Sequence, residues 1–269
     1  MSKPRMSRPI LPKEHGAWAV LFGAFLTGAG VAGRVTLPVT LLLGGVTLLA
    51  VANGPIAALL RMADCHRPPD RRRAVGWLLV YGIGAAACIA PLFVLYGMTF
   101  LLPFGMAAAL FFILRAFLVR QGEDRSLPGE LVATAGLTLV GPTAHAVAVG
   151  AALPTGAVLW LLLFLFYVSG VFYLRMRIRA VLAQRRPTSD ALNPARRWCV
   201  RYHLLLLLVV PALAAVQLIP WPVLLAFAPA LWRAAAGLRR QDSTLNLKRL
   251  GWSEVGLTAA FVVLLIVSF

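Results

Sequence analysis

The chain has 269 residues, 60% of them hydrophobic and 13% charged, with a formal net charge of +17. Soluble domains carry about 25% charged residues, so too little polar surface is left here to cover a water-soluble core. A basic balance on a soluble face would point to nucleic acid, but these cations fall in short clusters between apolar runs, the pattern of membrane topology.

No RNP, zinc-finger or helix-turn-helix pattern accompanies the basic residues, and no nucleic-acid partner is expected. The three cysteines (Cys65, Cys88, Cys199) have neither CxxC nor metal-ligand spacing. An odd, scattered set does not make a disulfide framework.

Residues 1–13 form a basic N-terminal segment with Lys3, Arg5, Arg8 and Lys13. It imitates the charged region of a secretory signal. No small-residue cleavage site leading into a soluble domain follows, so the first apolar run reads as a retained span. Crossing a bilayer takes about 20 apolar residues. Nine segments approach or exceed that length: 17–33, 36–60, 74–96, 98–119, 127–150, 154–174, 203–219, 221–238 and 250–269. Internal glycine and proline, as at Gly54-Pro55, Pro91, Gly141-Pro142, Pro211 and Pro229, are tolerated in membrane helices because neighbours satisfy the freed backbone groups. The seventh and eighth segments meet at Ile219-Pro220-Trp221-Pro222, where proline ends any continuous helix.

Threading the chain through nine spans places Lys3 to Lys13, Arg61 to Arg73, Arg115 to Arg125, Arg175 to Arg201 and Arg233 to Arg249 on one side. Of the 26 Lys and Arg residues, only Arg34 falls on the other. Positive residues stay cytoplasmic. The expected protein is therefore a single integral domain over 1–269 in the bacterial cytoplasmic membrane, all-α, with its N-terminus inside and Phe269 outside. The outer connections are short and uncharged, so function is expected on the cytoplasmic side. Its partners there are the lipid bilayer, anionic lipid heads and an amphipathic anionic small molecule.

Polar residues gather at the same depth. Glu14 and His15 open the first segment. Asn53 lies inside the second, with Arg61 and Asp64 at its end, three residues apart and able to pair on one helix face. Glu130 opens the fifth segment. Ser169, Tyr173 and Arg177 follow four-residue steps on the sixth, whose basic continuation begins at Arg175. Tyr202 and His203 open the seventh, and Glu254 opens the ninth. Ionisable groups within membrane segments face other helices or a water-filled cavity, so these residues are expected to line one cytoplasmic-facing pocket. Most of the remaining cations, such as Arg71 to Arg73, Arg185, Arg186, Arg239 and Arg240, read as snorkelling anchors. No GxSxG, HExxH, P-loop or glycine-rich dinucleotide turn is present.

Three stretches carry a family resemblance: Pro12-Lys13-Glu14-His15-Gly16-Ala17-Trp18, Val171-Phe172-Tyr173-Leu174-Arg175-Met176-Arg177-Ile178-Arg179, and Gly251-Trp252-Ser253-Glu254. Together they resemble the YwiC-like family of bacterial membrane proteins, a resemblance that brings no reaction with it. More remotely, the nine-span pattern is similar to UbiA-type intramembrane prenyltransferases. Those enzymes hold Mg²⁺ and a prenyl diphosphate on Asp-rich motifs. Laid on the NDxxDxxxD pattern, this chain offers Asn53, Gly54, Ala57 and Arg61, and the matching region of the sixth segment offers Tyr173, Arg175 and Arg177. All the carboxylates are missing, so a Mg-diphosphate site is not expected.

Arginine can hold an anion directly by bidentate bonds. The anion-binding candidates are Asn53, Arg61, Arg175 and Arg177. Glu14, His15, Glu130, Tyr173, His203 and Glu254 are the candidates for catalysis, and no metal ligands are assigned. The residues thus favour handling of an isoprenoid or other amphipathic anion; an enzyme of this kind would be a diverged transferase. The alternative is a non-enzymatic transporter or assembly factor. An ion-coupled transporter would place acids near the membrane midplane in inverted repeats, whereas these acids sit at segment ends.

Overall fold

The computed structural model of the protein describes residues 15–61, 68–185, 192–239 and 247–269. Among them every regular element is helical: α1 (His15–Ala32), α2 (Leu37–Arg61), α3 (Pro68–Val94), α4 (Leu102–Arg120, entered through a 3-10 turn at Thr99–Leu101), α5 (Leu127–Thr138), α6 (Val140–Val149), α7 (Pro154–Arg185), α8 (Leu192–Ala215), α9 (Val223–Arg239) and α10 (Leu247–Ser268). Seven stretches are long and apolar enough to cross a bilayer: Leu37–Leu60, Arg71–Val94, Thr99–Arg120, Leu127–Val149, Pro154–Leu182, Pro194–Ala215 and Arg249–Ser268. Gly16–Ala32 is apolar but shorter, and α9 has 17 residues. The fold is all-α and polytopic, as lipid demands of a backbone that must satisfy its own polar groups.

Each of the nine apolar segments read from sequence coincides with helix, but several edges move. The basic continuation of the sixth segment is helical, carrying α7 to Arg185. Helix α8 begins at Leu192, eleven residues before the apolar segment expected at 203, so Tyr202 and His203 lie in mid-helix instead of opening it. Pro194 is its third residue, where a missing N–H removes no helical bond, and Ala195-Arg196-Arg197 propagate the helix well. Likewise α10 starts at Leu247, which makes Glu254 its eighth residue. Between α5 and α6 the helix breaks at Leu139, because Pro142 has no N–H to offer the Thr138 carbonyl four residues back. Gly150 closes α6 in the left-handed region at φ +83°, and its N–H bonds Ala146 O at 2.8 Å; a side chain there would be strained.

The described chain divides into two compact units. One comprises Arg34–Gly136 and Ala146–Ala152. Here α2 packs along α3 through small residues: a Cβ placed on Gly45 would come 2.6 Å from Ile89 Cγ1, and one on Gly84 would come 3.0 Å from Leu48 Cδ1. Helix α4 also packs on α2.

The other unit comprises Gly16–Gly33, Leu137–His145 and Leu153–Phe269. Its core is centred on Phe166 of α7, which stacks on Phe261 of α10 at 3.7 Å between ring centroids and meets Phe227 of α9 edge-on at 6.5 Å. Leu162, Leu206 of α8, Val223 and Leu265 fill the same core. Helix α1 joins it through the Tyr167 hydroxyl, which donates to Ala19 O at 3.3 Å. At Gly28 and Gly141, α1 and α6 meet backbone to backbone.

Candidate functional site

In the second unit, the buried stripe of α9 runs Val223, Ala226, Phe227, Ala230, Arg233, Ala234 and Gly237. These three- and four-residue steps mark one helix face, and Arg233 is its single charge. The small residues around it leave room for a guanidinium. Arg233 Nη1 donates to Glu254 Oε2 of α10, and Nη2 donates to Ser169 Oγ of α7 at 3.0 Å. The guanidinium carbon lies 4.6 Å from the centroid of the Tyr173 ring, within cation–π range.

Two glycines make the arrangement fit. A Cβ on Gly170 would sit 3.6 Å from Glu254 Oε2, while Gly237 lies against the Tyr173 ring, where a Cβ would collide. Carboxylate, hydroxyl and ring thus surround one cation inside an apolar helix assembly, as the penalty on unpaired charge in lipid requires.

The Ser169 hydroxyl donates to Phe166 O at 2.6 Å and accepts from Arg233, so its proton is committed and it is not poised as a nucleophile. Alongside, on α8, His203 is buried and its Nδ1 bonds Cys199 O at 2.7 Å. A carbonyl only accepts, so Nδ1 carries the hydrogen. That atom cannot also take a proton from the Cys199 thiol, 3.7 Å away, and the pair is no Cys–His nucleophile. Cys199 belongs to one apolar cluster with Tyr173 and Met176, which turns this face of α8 toward the Arg233 centre. Tyr202 clamps α8 to α7, donating to Leu165 O at 2.8 Å and stacking on Phe172.

Of the residues expected from sequence, Tyr173 and Glu254 meet at Arg233, while His203 bonds back to Cys199 O within α8. Arg177, one turn beyond Tyr173, is buried; Arg175 is half-buried. Asn53 and Glu130 belong to the first unit. Asn53 Nδ2 donates back to Leu49 O at 3.4 Å, and Glu130, half-buried, stands in the first turn of α5. Glu14 and Asp64 lie outside the described residues, as do the side chains of His15 and Arg61.

The residue that sequence reasoning passed over is Arg233, counted only among cytoplasmic-side cations. It stands six residues before Arg239, the end of α9, about 9 Å along the axis at 1.5 Å per residue. That depth, and the alanines and glycine on its face, were the signs available.

The first unit carries a depression of about 330 Å³ lined by Ile56, Leu59 and Leu60 of α2, Leu78 of α3 and Arg120 of α4. Four walls are aliphatic and the fifth is an exposed arginine. Asn53, Ile56 and Leu60 share one face of α2 by their three- and four-residue spacing, and Arg61 follows directly in the chain.

Seven helical stretches long and apolar enough to cross a bilayer define a multi-spanning membrane protein. The family model described as YwiC-like protein matches residues 11–145, half of the chain, and the protein belongs to that family. It is 25% identical over 227 residues to "Uncharacterized protein YwiC" of Bacillus subtilis (strain 168), covering 84% of this chain and 85% of that one. No solved structure matches. The aliphatic depression, from Ile56 to Arg120, lies within the stretch matched by the family model.

Proposed function

We propose that this protein binds and presents an amphipathic anion, an isoprenoid phosphate or a comparable long-chain acid, in the cytoplasmic leaflet and without a metal. The observation carrying the reading is the depression whose walls are Ile56, Leu59, Leu60 and Leu78 and whose polar member is Arg120. Aliphatic walls gain about 0.8 kcal/mol for each methylene they remove from water, and a guanidinium offers an anionic head charge-assisted bonds. At about 330 Å³ the space falls at the lower end of small-molecule sites, roughly 300–1,000 Å³. It suits the head and first carbons of a chain that continues into lipid.

The surrounding sequence supports the same reading. Where a UbiA-type enzyme would supply aspartates, α2 supplies Asn53, Gly54, Ala57 and Arg61, so neutralising charge comes from arginine. Arg175 and Arg177 are the other arginines that the sequence reading assigns to an anion. In this reading the chain is a single integral domain of the bacterial cytoplasmic membrane. Its N-terminus is inside and its C-terminus outside, with Arg120 among the cytoplasmic-side cations. A transferase of diverged UbiA type would use the same site to hold its donor.

The test is mass spectrometry of lipids that co-purify with the protein from EDTA-washed membranes. A long-chain phosphate or carboxylate should be enriched over the bulk membrane, and lost in Arg120→Glu. Co-purified lipid matching bulk composition in both proteins would contradict the reading.

A further inference from the structure

Helix α8 has two opposite faces. Cys199, His203, Leu206, Val210 and Ala214 are buried, and their three- and four-residue steps set them on one side. Of these, Leu206, Val210 and Ala214 pack into the Phe166 core. Half a turn away, Arg197, Arg201, Leu204, Leu205 and Leu208 follow the same kind of steps and are all exposed, Leu208 by 71%. Cation and hydrocarbon therefore share one outward face, with the cations first.

The arginines of this helix are not equivalent. Arg196 turns toward the end of α9, where its Nη2 donates to Leu238 O at 3.5 Å. Arg201 instead lies over the ring of Trp198, 5.5 Å from the centroid and within cation–π range. Trp198 is itself 53% exposed, and indole is a side chain that settles at the headgroup level of a bilayer. The ring steadies the guanidinium without neutralising it. Arg197 stands one turn earlier, about 6 Å along the axis, and α8 contains no acidic residue. From Arg201 to Leu208 the helix rises about 10 Å. A headgroup held at the arginines would lay its acyl chains along the exposed leucines. A soluble phosphate would use the cations alone, whereas a lipid uses both halves of the face. The head must also be net negative, because choline or ethanolamine brings an ammonium that two arginines repel.

We infer that Arg197 and Arg201, steadied by Trp198, form a headgroup site for an anionic glycerophospholipid of the surrounding bilayer, whose acyl chains follow Leu204, Leu205 and Leu208. The site belongs to a single helix, shares no residue with the depression at Arg120, and stands whether or not an amphipathic anion binds there.

Native mass spectrometry of the full-length protein in detergent micelles tests this, with phosphatidylglycerol and phosphatidylcholine of the same acyl chains as the two titrants. The parent protein should bind phosphatidylglycerol more tightly than phosphatidylcholine. Its affinity for phosphatidylglycerol should fall about fivefold in Arg197→Gln or Arg201→Gln and about 30-fold in the double variant. Phosphatidylcholine binding should stay the same in all of them, which also reports an intact fold. Arg71→Gln/Arg72→Gln, which removes the same charge from exposed positions on α3, should leave phosphatidylglycerol binding unchanged. Glycerophosphoglycerol, the same head without acyl chains, should not displace the lipid. Equal affinity for the two lipids, an equal loss in the α3 variant, or displacement by the soluble head would overturn the site.

Discussion

Replacing Arg233 by methionine should be among the most damaging single changes available in this chain. It removes the ion pair to Glu254, the 3.0 Å bond to Ser169 Oγ and the contact with Tyr173. It also leaves a carboxylate with 21% of its side chain exposed and no cation beside it. Breaking a buried pair from one side costs about 3–5 kcal/mol; the residual exposure of Glu254 places the expected loss near the lower end, about 3 kcal/mol. Glu254→Leu, which leaves the guanidinium with its hydroxyl and ring, should cost about 2 kcal/mol. With both charges removed, Arg233→Met/Glu254→Leu should return to within about 1 kcal/mol of the parent, since an apolar pair of similar volume commonly replaces a buried ion pair without loss. Reversible unfolding in mixed micelles, followed by far-ultraviolet circular dichroism, measures all three. Additive losses in the double variant would refute the argument, because the coupling between the two residues would then be absent.

Gly237→Ala drives a methyl into the Tyr173 ring and should cost about 1–3 kcal/mol, whereas Gly16→Ala, which meets nothing within 4 Å, should cost nothing in the same unfolding assay. Tyr202→Phe deletes the 2.8 Å bond to Leu165 O and should lose about 0.5–1.5 kcal/mol while keeping the stack on Phe172. Reporter fusions after Lys13 and Phe269 should read out on opposite sides, cytoplasmic first; a cytoplasmic signal at both would break the odd span count drawn from the charge split.

Long apolar runs need no tertiary information to read as membrane helices, and all nine lie on helix in the structure. Their polar edges are less legible. Hydropathy marks where apolar residues begin, not where the backbone starts to coil, so the eleven helical residues before His203 in α8 lie outside the segment it marks. The four-residue steps of Ser169, Tyr173 and Arg177 did mark a buried face, as all three side chains are enclosed. What that face meets was hidden, because Arg233 looks like a snorkelling cation until the alanines and glycine of its stripe are seen to be buried. Nor does hydropathy show that the His203 ring turns back along α8 and spends its Nδ1 on the carbonyl of Cys199.

The central claim is tested most directly by equilibrium binding of radiolabelled farnesyl phosphate to the purified protein in EDTA, at stepped salt, with farnesol as competitor. Binding should be saturable without divalent cations and weaken as salt rises, with farnesol displacing the phosphate poorly. It should also fall about 10- to 150-fold in Arg120→Gln, the loss of one charge-assisted bond of about 1.5–3 kcal/mol. Binding that strictly required Mg²⁺, or that Arg120→Gln left unchanged, would contradict the account.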